Sequence, residues 1–493
     1  VPSSSTSPQA SGLSQEQIIG KHFAVNLVSD MKAIEPNVVR SIPAHRALAG
    51  CGSSFRGDPG ALFEETRAAS QFDEFWSHSW HANPWMQYCT MMHCKKGFGA
   101  AAVATLLAAL AGAACATGML PTGTLTPLTW IMMFGIFSYY AALVCGRPGA
   151  EVFLDIVCID QADPGFKDRA LLSIGAILHQ SDRMVVLLDP SWVTRLWCVF
   201  ELAAYLHGCK RKRQRPRLIV QPTHLGVIQL CGHLGICILS LDPTVVSIRA
   251  LLFTSLCGSA LSHAGRLGLR TLDEIQKQLA IFSIDKSFSA CCDRGHKRND
   301  GTTTMCDREI ILECIVIWFG SLAEFEKVVQ SEVRELVVQQ MLDPLCAFLH
   351  ILLPVSPSLW AAVGDLVSVP EDSNWMHFAA EAVYGLSLTF AHVPVSILCA
   401  GVMAYILRAR CCNPLLDLFN TFLVTLTGAG TFIGLALLRA NLQDWLLRWL
   451  GESPVLTSSA VWVGIVGPIA FVGFQIPRCF CSHMRNPNAH PAE

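Results

Sequence analysis

The sequence predicts an α/β domain, a parallel sheet flanked by helices, with a helical membrane hairpin inserted into it and an all-α multipass membrane domain following it. Three observations carry this expectation. Between Glu151 and Leu206 two short apolar runs alternate with two helical periodicities, the order that produces a right-handed crossover and a parallel sheet. Six further stretches are apolar over about the length that crosses a bilayer as a helix. Of the 493 residues, 52% are hydrophobic and only 15% charged, against about 25% charged in a soluble domain, a deficit that suits a surface facing lipid.

Val152 to Ile159 is apolar apart from Asp155, as a strand buried on both faces should be. Asp160 to Gly165 crowds Asp, Pro and Gly into a loop, and Lys167 to Gln180 then places Leu171, Leu172, Ile174, Ile177 and Leu178 at helical spacing. Met184 to Leu188 is a second buried strand, ended by Asp189 and Pro190. After it Trp197, Phe200, Ala204 and Tyr205 recur at helical intervals. Upstream, Gln71 to Trp80 is an aromatic-rich strand whose Phe75 and Trp76 need a buried partner surface, so it is expected beside Val152 to Ile159 in one sheet. Leu218 to Val220 reads as a further short strand. In such a sheet a ligand lies at the carboxyl ends of the strands, where the loops Asp160 to Gly165 and Asp189 to Arg195 sit.

Trp197 and Glu201, four apart on a helix, share a face and present an indole beside a carboxylate, an arrangement suited to a nucleotide. Arg195 at the loop-to-helix junction can hold a phosphate bidentately or pair with Asp189 on the surface. For Trp197 and Cys198 the competing reading is core packing, and for Glu201 a solvated helix face.

The segments FLDxxxxxxxxPG (Phe153 to Gly165), QSDRMVVLL (Gln180 to Leu188) and W-C-V-F-E-L (Trp197 to Leu202) resemble the Toll/interleukin-1 receptor (TIR) superfamily over about a third of the chain, most closely the TIR-like domains of multipass membrane proteins of some unicellular algae. The resemblance implies a flavodoxin-like fold. It also implies that Glu201, last in W-C-x-x-E, is the catalytic glutamate of a domain that cleaves NAD. F-x-S-H-x-W, Phe75 to Trp80, is similar to the opening of that domain, which places His78 and Ser79 in the same cleft. Trp197, Arg195, His78, Ser79 and Asp155 are then the expected substrate-binding residues. NAD is the expected substrate rather than a bound cofactor. Asp160, Asp163, Pro164 and Gly165 form the loop through which such domains associate with one another. Two other functions stay open: a non-enzymatic TIR-type interaction module, and a transporter or channel with a regulatory cytoplasmic domain.

The chain departs from an ordinary TIR domain between its first two strands, where Phe98 to Leu120 and Leu125 to Val144 form a membrane hairpin around the turn Pro121, Thr122, Gly123. Lys95 and Lys96 before it and Arg147 after it put both ends, and the TIR-like domain, in the cytoplasm. The last third supplies four more spans, about Leu345 to Val363, Phe378 to Leu407, Leu415 to Leu438 and Ser459 to Ile476, with Arg408, Arg410, Arg478 and Arg485 where the chain returns to the cytoplasm. His392, beside Pro394, is expected to be a packed or interfacial histidine. Leu225 to Leu241 and Val245 to Leu261 fit core, a surface helix or a second spanning pair equally.

The run Lys210 to Arg217 is a solvated basic face, or a contact for anionic lipid headgroups, each basic residue then contributing about 1 kcal/mol. A net charge of −2 gives no field for nucleic acid. The 21 cysteines, scattered through apolar segments, read as buried free thiols. Cys291, Cys292, His296 and Cys306 are of metal-ligand type, but they lack a paired C-x-x-C and adjacent cysteines ligate one ion awkwardly, so the spacing assigns no metal. The polar start, VPSSSTSPQASG, lacks a basic region followed by an apolar core and reads as a tail rather than a signal peptide. The expected division is thus a mostly flexible tail (1–65), the first part of the TIR-like domain (66–97), the hairpin (98–146), the main part of that domain (147–222), a cytoplasmic or membrane-associated linker (223–343), the C-terminal transmembrane helices (344–480) and a tail (481–493).

Overall fold

The computed structural model describes residues 15–56, 60–123, 125–241, 248–297, 306–346, 348–370, 373–450 and 455–485. The outer ends of both expected tails, 1–14 and 486–493, lie outside these residues, as does the start of the stretch expected from Val245. The described chain is mostly helical around one small mixed sheet. Its strands are β1 (Arg40–Pro43), β2 (Arg67–Ala68), β3 (Phe72–His78), β4 (Glu151–Phe153), β5 (Ser181–Leu188) and β6 (Leu218–Pro222), in the spatial order β2-β1-β4-β3-β5-β6.

Four adjacent strands, β4-β3-β5-β6, are parallel, as apolar runs buried on both faces suit. β3 and β4 pair through Glu74 with Val152 and Phe75 with Phe153, so the expected neighbours lie side by side although a hairpin separates them in sequence. Phe153 stacks on Phe75 with ring centroids 5.2 Å apart, the partner surface that strand needed. Two edges differ from expectation. β4 stops at Phe153, because the Asp155 carboxylate accepts the Ile156 N–H (2.8 Å) and starts a one-turn helix, Asp155–Cys158. The helix expected over Lys167 to Gln180 is two, Pro164–Leu172 and Ile174–His179, broken at buried Ser173, whose hydroxyl bonds back to the Arg169 carbonyl and accepts the Ile34 N–H.

Residues expected as tail are structural. Gln15–Ser29 is a helix that buries Ala24, Val25 and Val28 in the sheet's core against the helix Asp307–Phe319, and β1 extends the sheet antiparallel to β4. The same core takes Leu272, Ile275 and Leu279 from the long helix Ile248–Ala280 and Phe325, Val329 and Val333 from the segment after Ser321. Residues expected as a linker therefore pack on the α/β unit.

Among the described residues four helices are long and apolar enough to cross a membrane: Pro84–Ala116, Pro127–Cys145, Trp375–Ile406 and Pro414–Trp449. Of the six expected spans, two correspond to shorter apolar helices, Ile351–Val367 and Leu456–Val472. Leu225–Leu241 is also a short apolar helix, laid against Ile351–Val367 and the hairpin, where Trp360, Cys237 and Tyr139 form a separate core. His392 is fully buried at a widened helical turn, Leu388–His392, with its Nε2 2.9 Å from the Phe432 carbonyl oxygen. It is a packed histidine.

The first hairpin helix starts at Pro84, capped by the Asn83 side chain, rather than near Phe98. Lys95 and Lys96 consequently lie inside the helix instead of preceding it. Lys96 donates to the Val144 carbonyl at the end of the returning helix (3.2 Å), and Lys95 reaches back to Glu74 in the middle of β3 (2.5 Å). Glu74 is 2% exposed and also accepts the Trp76 indole N–H at 2.8 Å. At the other side of the sheet Thr90 donates to the Thr223 carbonyl and accepts the Gly226 N–H, and a Cβ on Gly226 would lie 2.3 Å from the Thr90 Cα. Only glycine permits that approach.

Removing Lys95 leaves the buried Glu74 carboxylate with the Trp76 indole and the more distant, half-exposed Arg183 (3.9 Å), a loss of up to about 3–5 kcal/mol, whereas replacing both members of the pair with neutral groups of similar shape is nearly neutral. Lys95→Met should therefore lower the thermal stability of the full-length protein strongly, and Lys95→Met with Glu74→Gln should recover most of it. Equal stability of the single and double variants would show that the pair does not hold the hairpin to the sheet.

Candidate functional site

The carboxyl end of the sheet gathers the residues singled out above. β3 ends in Ser77 and His78, β4 is followed by Asp155, β5 by Asp189, and the helix Leu196–Arg211 crosses behind them. Glu201 points inward from this helix. It is 3% exposed, and one carboxylate oxygen accepts the Ser77 hydroxyl at 2.6 Å. Ser77 in turn accepts the Trp192 indole N–H at 3.0 Å. The solvated helix face considered for Glu201 is thus replaced by a buried, hydrogen-bonded carboxyl.

Successive strand residues point to opposite faces, so Ser77 and His78 serve two sides of β3. His78 lies edge-on to Phe55, with its Nδ1 3.6 Å from Asp155 and its Nε2 buried without a hydrogen-bond partner among the described residues. Burial lowers its pKa, an effect the nearby Asp155 charge partly offsets, so the ring is neutral and its contact with Asp155 is polar rather than ionic. Asp155 also accepts the Trp80 indole N–H at 2.9 Å. Ser79 is fully buried, with its hydroxyl 2.7 Å from that of Ser191, which donates to the Asp189 carboxylate and so accepts from Ser79. Arg195 does not pair with Asp189: its Nη1 is buried with no hydrogen-bond partner among the described residues.

Burial, and to a lesser extent the Asp155 charge, raise the Glu201 pKa, and the Ser77 hydroxyl, Arg195 and the Trp197 indole oppose them, leaving it at about 8. Glu201 and Trp197 do share a helix face, yet Trp197 also packs on Phe200 and borders a small cavity of about 80 Å³ with Val28 and Ile310. The larger cavity, about 410 Å³, lies at the opposite end of β5, among His179, Asp182, Lys212, Arg215 and Arg217. The Lys210 to Arg217 run itself is exposed.

The loop before Pro164–Leu172 is built by side-chain caps: Asp160 accepts the Ala162 N–H and Asp163 the Gly165 N–H. Asp163, Pro164 and Gly165 are exposed and Asp160 half-buried. Sequence reasoning passed over Ser77 and Trp192, the direct and indirect partners of Glu201. Ser77 stood within the quoted F-x-S-H-x-W, and the period of two that puts His78 on one face puts Ser77 on the other. No family model, curated protein or solved structure matches this chain.

A carboxyl whose pKa rises from 4.5 to about 8 on folding leaves the folded state protonated where the unfolded chain is ionised. Its stabilising contribution is complete below pH 4.5 and is lost as pH rises toward 8, by up to about 5 kcal/mol. Glu201→Gln keeps the neutral shape and cannot ionise. The variant should match the wild type near pH 5 and exceed it in thermal stability near pH 8. Parallel pH profiles would show that Glu201 is ionised in the folded protein.

Proposed function

We propose that this chain is a membrane-anchored signalling protein whose α/β domain is a TIR-like, flavodoxin-like unit, and that Glu201 serves cleavage of NAD at the bond between nicotinamide and ribose. The observation that carries this reading is a buried carboxyl at the carboxyl end of the central parallel strands, held by Ser77, with the charge of Arg195 acting on it and one guanidinium nitrogen of that arginine unpartnered among the described residues. A buried acid with a raised pKa in the field of an incompletely satisfied guanidinium is the kind of group that functional sites maintain at a cost in stability.

The chemistry follows from charge. A cationic nicotinamide–ribose linkage next to Glu201 favours the carboxylate and expels its proton. The carboxylate then stabilises positive charge that develops on the ribose as the C–N bond breaks and neutral nicotinamide leaves. Water attacks the ribose carbon and its proton passes to Glu201. Arg195 is placed to hold a diphosphate, and Trp197 to border the base. Because Glu201 is closed to solvent, substrate access requires the helix Leu196–Arg211 and the strand ends to part, a motion we couple to self-association through the exposed loop Asp163 to Gly165.

We propose further that the domain lies in the cytoplasm and that the chain crosses the membrane several times. Both hairpin ends meet the same sheet, so they share one side of a membrane, and the exposed basic run Lys210 to Arg217 favours the side with anionic lipid. A second reading, a non-enzymatic interaction module, is favoured by one observation: the Glu201 carboxyl is closed to solvent and hydrogen-bonded to Ser77 without any ligand.

Nicotinamide release by the full-length protein in bilayers, with neighbouring copies held together by a cross-linker, separates the two. Glu201→Gln should lower the rate by about a hundredfold or more while nucleotide binding persists. Equal release by both proteins, or none from the wild type, leaves the interaction module. Labelling of Asp160→Cys in a cysteine-depleted variant gives the orientation. Reaction with an external impermeant reagent would overturn it.

A further inference from the structure

Cys291, Cys292, His296 and Cys306 come together beside the site, and none of the three cysteines is in a disulfide. Their sulfurs are 3.8 Å (Cys291 to Cys292), 4.0 Å (Cys291 to Cys306) and 3.7 Å (Cys292 to Cys306) apart. All four potential ligand atoms lie within 4.8 Å of one another. With zinc–sulfur bonds of about 2.3 Å, a tetrahedral zinc ion separates its sulfur ligands by about 3.8 Å. The three thiols thus stand where a single zinc would hold them.

The backbone brings the fourth ligand, the His296 imidazole, to the same place. Ala290–Asp293 is one helical turn that presents both adjacent cysteines to the cluster, answering the objection that neighbours ligate one ion awkwardly. After it, Gly295 and His296 take positive φ angles of 62° and 57°, closed by the His296 N–H on the Cys291 carbonyl (2.9 Å), which folds the imidazole back over the thiols. A histidine in this left-handed conformation carries backbone strain. Its Nε2 is nevertheless buried with no hydrogen-bond partner among the described residues. Ligation would satisfy that nitrogen and offset the strain.

We infer that Cys291, Cys292, His296 and Cys306 are the ligands of a structural zinc ion. Three sulfurs and one imidazole select a thiophilic metal over magnesium or calcium, and four protein donors leave no open position for catalysis. The Ser289 hydroxyl, 3.4 Å from the Cys291 sulfur, is an outer partner. The ion ties the segment before Cys291 to the start of the helix Asp307–Phe319, a join that Arg308 reinforces by donating to the Ser287 and Ile284 carbonyls. The same segment supports the site's helix: Phe288 donates to the Thr194 carbonyl and accepts the Leu196 N–H, on either side of Arg195. The inference does not depend on the proposed NAD chemistry.

The test is elemental analysis of the full-length protein, purified in detergent under reducing conditions without chelators or metal-affinity resin. One zinc per chain is expected. Cys306→Ser and His296→Ala should lower the content by about tenfold or more, and His296→Cys, which restores four donors, should retain it. Cobalt exchanged into the wild type should show tetrahedral bands with thiolate charge transfer, strengthened in His296→Cys. Should the serine variant fail to fold, the wild-type content and the His296→Cys spectrum still decide. No zinc in the wild type, iron in its place, or equal zinc in the wild type and the Cys306→Ser and His296→Ala variants would overturn the site.

Discussion

The ion pair between Glu74 and Lys95 is the constraint on which the rest of this structure depends. A carboxylate in the middle of a central strand is costly unless paired, and its partner arrives from the first hairpin helix, with the Trp76 indole as a second donor. That helix can therefore enter a membrane only after running along the sheet from Pro84. The insertion between β3 and β4 is consequently not a flexible tether. It leaves the two strands in parallel register, with Phe153 stacked on Phe75, and fixes the sheet at one end of the apolar helices.

A sheet covered on both faces keeps Ser77, His78, Ser79 and Glu201 dry at its carboxyl end, and dryness sets the chemistry available to them. Glu201 lies against Ser77 with no water-facing side, so it is held as a neutral acid. His78 is neutral for the same reason and with the opposite sign of shift. Arg195 keeps an unpartnered nitrogen within this region. The site resists ionisation in isolation and favours it when a positive charge arrives, which couples the proposed chemistry to substrate access.

The same end of the sheet is braced from outside. Phe288 brackets Arg195 through backbone hydrogen bonds, and the segment that delivers Phe288 runs directly into the cysteine cluster. The proposed zinc would thereby set the position of Arg195 without touching it. A further clamp stands at the membrane helices, where buried Arg266 donates to Asp417 and to the Leu407 carbonyl, joining Ile248–Ala280 to the C-terminal helices. These polar contacts connect segments far apart in sequence.

Periodicity alone determined the parallel strands around Phe75, Val152 and Met184, the helix bearing Trp197 and Glu201, and the long apolar stretches of the hairpin and the last third, because strand and helix periods and hydrophobic length are local properties of a sequence. It did not determine that Gln15–Ser29 belongs to the core, since its apolar stripe is weak and is buried only by contacts remote in sequence, with Ile174–His179 and with a helix nearly 300 residues later. It placed Lys95 and Lys96 before the membrane helix, as charges normally stand, because their compensation by Glu74 and the Val144 carbonyl comes from other elements. It gave Glu201 its register with Trp197, while the resemblance carried by W-C-V-F-E-L singled that residue out as catalytic; neither showed the desolvation that raises its pKa, which comes from elements packed around it in space. It set aside the cysteine cluster on spacing, whereas one helical turn and two left-handed residues bring the four side chains within 4.8 Å. Charge compensation, desolvation and ligand geometry depend on distance in space, and only the tertiary structure decides that distance.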